Sequence, residues 1–163
     1  MARLAIADNS LFELDERECR QRGPSYTVDT LSALRDEWGN KRPVCLFIGT
    51  DAFVALTTWK NWQRLVDLAH IVVAYRPGVA LDAGQLQPAL RAVYDARLTT
   101  DSKALTDRPA GFIHPIATTA LDISATAIRS LFAQRRSPRY LLPHAVIDYI
   151  DHHQLYRTLN EEG

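Results

Sequence analysis

Two unbroken apolar stretches, VCLFI at residues 44–48 and IVVA at residues 71–74, constrain this chain more than any other feature. A strand buried on one face alternates apolar and polar residues. A continuous apolar run of this length suits a strand covered on both faces, as in parallel sheets. The first run leads into Gly49, and the second is stopped by Pro77 and Gly78. Helical repeats flank both. RGPSYTVDTLSALRDEWGN reads as a turn and then a helix. Ser25 or Thr27 can cap that helix, Val28, Leu31, Leu34 and Trp38 form its inner stripe, and Gly39 ends it. WKNWQRLVDLAH carries Trp62, Leu65, Val66 and Ala69 at helical spacing. Strands alternating with amphipathic helices predict an α/β fold, a doubly wound parallel sheet.

The remaining segments fit that pattern. RLAIADNS reads as the last turns of a helix, LFEL as a short strand, and QLQPALRAVYDARL as a helix beside a polar loop. GFIHPI is a weaker strand signal. A helix is expected from Ser124, with Ala125, Ile128, Leu131 and Phe132 inward. A last helix, HAVIDYIDHH, has Pro143 near its first turn, and TLNEEG should fray. With 163 residues, no repeat and no linker, a single domain over 1–163 is expected.

Nineteen basic residues balance nineteen acidic ones. A generic electrostatic grip on nucleic acid or on an anionic membrane is therefore not indicated. No apolar run approaches membrane-spanning length, and the N-terminus lacks a signal-peptide core. Cys19 and Cys45 cannot make a four-cysteine metal site; a disulfide can be drawn, but Cys45 in its apolar run reads as a buried thiol of a cytoplasmic protein. The five histidines carry no metal-binding spacing. Nucleophile-elbow, Walker and G-x-G-x-x-G motifs are absent from the sequence.

Ligands of open parallel sheets gather beyond the carboxyl ends of the strands. Gly49 and Asp51 follow the first strand, where they read equally as a tight turn with a cap. Arg76 follows the second, as a phosphate ligand or a solvated side chain. In DISATAIR, the hydroxyls of Ser124 and Thr126 and the free amides of a helix start could receive an anion, with Arg129 reaching back. An ordinary capped helix is the alternative. Tyr26 and Thr27 stand at one helix entry and Trp59 near another, as core aromatics or as a surface for a flat heterocycle.

The order of these pieces carries a resemblance. LAIADNSLFELDERE, GPSYTVDTL, FIGTDAF, TTWKNW, HIVVAYRPG and ISATAIRSLF…YLLPHAVIDYIDHHQLYR resemble bacterial nicotinate-nucleotide adenylyltransferase (nicotinate mononucleotide adenylyltransferase) over nearly the whole chain, residues 79–110 excepted. The resemblance implies a Rossmann-like nucleotidyltransferase fold. It also implies adenylyl transfer from ATP to nicotinate mononucleotide, with Mg²⁺ accompanying ATP. Thr27 and the amides near Trp59 and Lys60 would hold the nicotinate carboxylate, Trp59 would stack on the ring, and Tyr26 would belong to the same subsite. Gly49 and Asp51 would line the nucleotide cleft; Ser124, Thr126, Arg129 and Arg76 would meet the ATP phosphates. Lys60 stands where some relatives carry an aromatic residue.

Family members open with a G-G-T-F-D-P-x-H-x-G-H segment, and H-x-G-H does not occur in these 163 residues. The expectation is an N-terminally incomplete domain that lacks the first strand–helix unit, from a misplaced start, a cut chain or a natural omission. A sheet without those strands would expose apolar edges, so the chain should be weak or inactive alone and open to homo-oligomer formation. Two other readings remain: a non-catalytic nucleotide-binding or assembly module, and a nucleotidyltransferase for another phosphorylated acceptor. PSYT and Trp59 weigh against the second of these.

Overall fold

The computed structural model describes residues 1–76, 81–119, 121 and 123–157. Pro77 and Gly78, expected to stop the second strand, lie outside them, as does TLNEEG from Thr158 on. In chain order the elements are α1 (Ala2–Ala5), α2 (Arg17–Arg20), α3 (Thr27–Trp38), β1 (Cys45–Gly49), α4 (Thr50–Val54), α5 (Leu65–Leu68), β2 (His70–Tyr75), α6 (Pro88–Arg97), α7 (Ala104–Asp107), β3 (Ile113–Ala117), α8 (Ala125–Ala133) and α9 (His144–His152). Contacts gather these into two compact units, residues 17–120 and residues 1–16 with 121–163.

The larger unit is built on a parallel sheet of order β1-β2-β3. Leu46 and Ile48 of β1, Ile71 and Val73 of β2 and Ile113 of β3 share one core with Val28, Leu31, Phe53, Leu65 and Leu90. All four residues expected along WKNWQRLVDLAH are buried, the segment folding as a 3₁₀ turn, Trp62–Arg64, that runs into α5. The expectation that both apolar strands are covered on both faces holds for β2 only. Phe47 points opposite to Leu46 and Ile48 and is 66% exposed, although Val72, its partner in register, is buried. Among the described residues β1 pairs with β2 alone, so Phe47 stands at the edge of the sheet, on the face opposite the core that Leu46 and Ile48 join.

Several local expectations need correcting. Neither Ser25 nor Thr27 caps α3. The cap residue is Tyr26, in extended conformation, whose carbonyl accepts from the amides of Asp29 and Thr30 at 2.9 and 3.2 Å. Ser25 lies one residue too early and Thr27 is already helical, so neither hydroxyl holds the capping position. Trp38, the last helical residue, overhangs the core and is 38% exposed under the Arg42 guanidinium. Gly39 does end the helix, at φ 78. Asp51 is not a cap either; Gly49 precedes α4, and Asp51 lies within its first turn.

The inner face of α3 instead holds Arg35, which is only 7% exposed. Its Nε donates to the Leu68 carbonyl at 2.7 Å, Nη1 to Arg42 at 2.6 Å and Gly39 at 3.4 Å, and Nη2 to Pro109 at 2.6 Å. His70, fully buried, accepts the Phe112 amide on Nδ1, so its Nε2 carries the proton shared with the Arg108 carbonyl. These two side chains give hydrogen-bond partners to main-chain groups of the segments that enter β1, β2 and β3.

In the smaller unit, Ile128 and Phe132 of α8 pack with Val146 and Ile150 of α9, and Leu4 of α1 joins them. Ala125 is exposed and Leu131 half-buried, so the inward stripe is narrower than expected. LFEL forms no strand. The Asn9 side chain takes the Leu11 amide and the Asn9 carbonyl takes the Phe12 amide, closing a turn in place of a ladder.

Candidate functional site

The three strands end together. Gly49 is in register with Ala74, and Tyr75 with Ala117, so the residues after each strand collect at the carboxyl edge of the sheet. Asp51 is exposed in the first turn of α4, and Arg76 is exposed directly after β2. Gly49 has φ −76 and ψ 165, which any residue adopts, and a Cβ there would meet nothing within 4 Å. The protein itself therefore does not require glycine at this position.

A second feature of the larger unit is a pocket of about 300 Å³ lined by Tyr26, Thr27 and Val28 from the start of α3 and by Thr58, Trp59 and Lys60 from the loop after α4. It unites all four residues read as acceptor ligands. The amides of Thr27 and Val28 open the helix and bond to no described residue. The Trp59 amide is occupied: it donates to the Leu56 carbonyl at 2.9 Å, because a 3₁₀ turn, Leu56–Thr58, closes there. The Lys60 amide, by contrast, bonds to no described residue and is the open donor at this end. Trp59 is half-buried and packs against the core of the larger unit.

Lys60 Nζ lies 2.8 Å from Asp29 Oδ2 and 4.4 Å from the centroid of the Tyr26 ring. The ammonium therefore clips the loop to the helix start across the pocket wall. Sequence reasoning missed Asp29. Its signal, an acid in the first turn of a helix, is a generic dipole preference, and its partner lies 31 residues away.

In the smaller unit Ser124 is the cap of α8, its Oγ accepting the Ala127 amide at 3.1 Å. The amides of Ala125 and Thr126 remain without a partner among the described residues. Thr126 and Arg129 are exposed at i and i+3 on one face, and the Arg129 guanidinium lies 5.9 Å from the Tyr156 ring. The helix start thus works as an ordinary cap and still presents two donors.

A family model described as cytidylyltransferase-like matches residues 1–131. The chain is 45% identical over 158 residues to a probable nicotinate-nucleotide adenylyltransferase of Dechloromonas aromatica, covering 97% of this chain and 73% of that one. It is 46% identical over 161 residues to the same enzyme of Acidithiobacillus ferrooxidans, covering 97% and 71%. A solved Plasmodium falciparum nicotinic acid mononucleotide adenylyltransferase complexed with NaAD shares the fold, with a TM-score of 0.60 at 16% identity over 96% of this chain and 71% of that one. The parallel sheet is accordingly that of a Rossmann-like α/β domain. On the strength of these identities, the chain belongs to the nicotinate-nucleotide adenylyltransferase family.

Proposed function

We propose that this chain serves adenylyl transfer from ATP to nicotinate mononucleotide, giving nicotinate adenine dinucleotide and pyrophosphate, a step of NAD biosynthesis. The observation that carries the assignment to residues is the pocket between the open start of α3 and the Trp59–Lys60 loop in a chain of this family. There the amides of Thr27, Val28 and Lys60 would receive the nicotinate carboxylate, Trp59 would stack on the ring, and Tyr26 would close the wall. In the larger unit Gly49, Asp51 and Arg76 are assigned to the nucleotide. In the smaller unit Ser124, Thr126 and Arg129 are assigned to the ATP phosphates.

In the reaction a phosphate oxygen of the acceptor bonds to the α-phosphorus of ATP as the bond to the bridging oxygen breaks and pyrophosphate leaves. Such transfers ask the protein mainly for alignment and for neutralisation of negative charge. Trp59 and the helix-start amides would supply the first; for the second, Arg76 is the candidate cation of the larger unit and Arg129 that of the smaller. Among the described residues no group of three or more His, Cys, Asp or Glu side chains could hold a metal ion. By likeness to the family, Mg²⁺ is assigned to the phosphates of incoming ATP, where it would keep water and phosphate ligands.

The histidines that the resemblance assigns to the transferring phosphate do not occur as H-x-G-H in these residues, so we expect weak turnover and test binding first. Isothermal titration should show nicotinate mononucleotide binding at least about tenfold more tightly than nicotinamide mononucleotide, a difference of about 1.4 kcal/mol. Equal binding would remove the acceptor assignment. Failure to bind ATP would remove the nucleotide assignment separately.

A further inference from the structure

At the end of α8 remote from Ser124 the smaller unit carries a cavity of about 440 Å³. Phe132, Pro138 and Ile147 form its apolar lining, and Arg135, Arg136 and Arg157 bring three guanidinium groups against one carboxylate, Asp151. That carboxylate is already paired with Arg157 at 3.3 Å. Arg135 and Arg136 have no acidic partner among the described residues. Ser137, between them and the lining, accepts the Arg139 amide on its hydroxyl oxygen at 3.3 Å, which leaves the hydroxyl proton to donate.

The backbone at this end is informative. The Arg136 amide closes on the Leu131 carbonyl at 2.8 Å and the Arg135 amide on Phe132 at 3.0 Å, a Schellman closure. It holds Arg135 at φ 54, in the left-handed region where glycine is favoured and a Cβ is strained. Attraction to the helix dipole does not explain the choice, since an arginine inside the last turn would gain it without a strained backbone. Arginine at 135 is thus held against the local preference of the chain, on the rim of a cavity that already has an excess of positive charge.

We infer that this cavity binds a small organic phosphate. Arg135 and Arg136 clamp the phosphate oxygens and Ser137 donates to one of them, while Phe132, Pro138 and Ile147 take a flat apolar body. Nine helical residues span about 14 Å, so this ligand sits a helix length away from the Ser124 helix start.

The test is a titration of the full chain, isotopically labelled, followed by NMR with phenyl phosphate, inorganic phosphate and phenol as probes. Phenyl phosphate should give saturable shifts at the Ser137 amide and the Ile147 methyl groups and bind about tenfold more tightly than either fragment. R135G should raise the melting temperature by about 2–4 °C while weakening phenyl phosphate about fivefold. R136Q should weaken it similarly with melting unchanged. The inference is overturned if shifts at Ser137 and Ile147 are absent or survive both substitutions, or if inorganic phosphate matches phenyl phosphate. It is also overturned if an oligothymidylate saturates the same residues more tightly, which would make the surface a polymer site.

Discussion

Replacing Arg35 by methionine keeps the apolar stem and removes the guanidinium. In the folded chain that group serves four carbonyls, three of them at 2.6–2.7 Å. The Pro109 carbonyl would keep one partner, because it also accepts the Val44 amide at 3.0 Å. The Leu68 and Arg42 carbonyls would lose the donor that the side chain gives them. Each of these part-buried carbonyls left open costs up to about 1–3 kcal/mol, and the weakened third contact adds about 1. Against this, burial lowers the Arg35 pKa, so removing the charge returns part of its desolvation. The expected net loss is about 3–4 kcal/mol, a large share of the ~5–15 kcal/mol that holds a typical domain together. Urea unfolding, followed by the fluorescence of buried Trp62, should show the midpoint falling by about 1–2 M. Arg35→Lys, with donors but no fork, should fall between. A loss below about 1 kcal/mol for R35M would refute the view that this side chain ties α3 to the strand entries.

Gly49→Ala should leave stability unchanged, since the backbone angles are ordinary and the added methyl meets nothing; ATP affinity by titration should fall about tenfold if a nucleotide lies against that backbone. Lys60→Gln should reduce the preference for the acid acceptor over the amide about three- to tenfold, read as the ratio of the two dissociation constants, while Asp29→Asn, which frees the ammonium, should not reduce it. Burial raises the Cys45 thiol pKa, so less of it is thiolate at pH 8 and its alkylation should lag that of exposed Cys19, the gap narrowing as pH rises. Peptide mapping after timed maleimide treatment checks this, and equal rates would contradict the burial.

The β2 run IVVA, buried on both faces, and the helical stripe at Val28 and Leu31 were legible because a periodicity is written in consecutive residues. The two mistaken caps of α3 and the false strand LFEL show the limit of that reading. Which of Ser25, Tyr26 or Thr27 leaves the helix, and whether Leu11 pairs with a neighbour, turn on single hydrogen bonds that similar sequences satisfy in different ways. Phe47 marks another limit, because an apolar residue is buried only where something is present to cover it.

By itself the sequence marked the strands β1, β2 and β3, the longer helices α3, α6, α8 and α9, core positions such as Val28, Leu31, Ile71, Val73, Ile128 and Phe132, and the family motifs at Tyr26–Thr27, Trp59 and Ser124–Arg129. Only the tertiary structure decided that Lys60 meets Asp29 and Tyr26, that the Trp59 amide is already occupied, and that Arg35 reaches carbonyls as far as 74 residues away. The physical reason is that periodicity is a property of neighbours along the chain. Partners brought together by packing depend on how distant segments fill one volume.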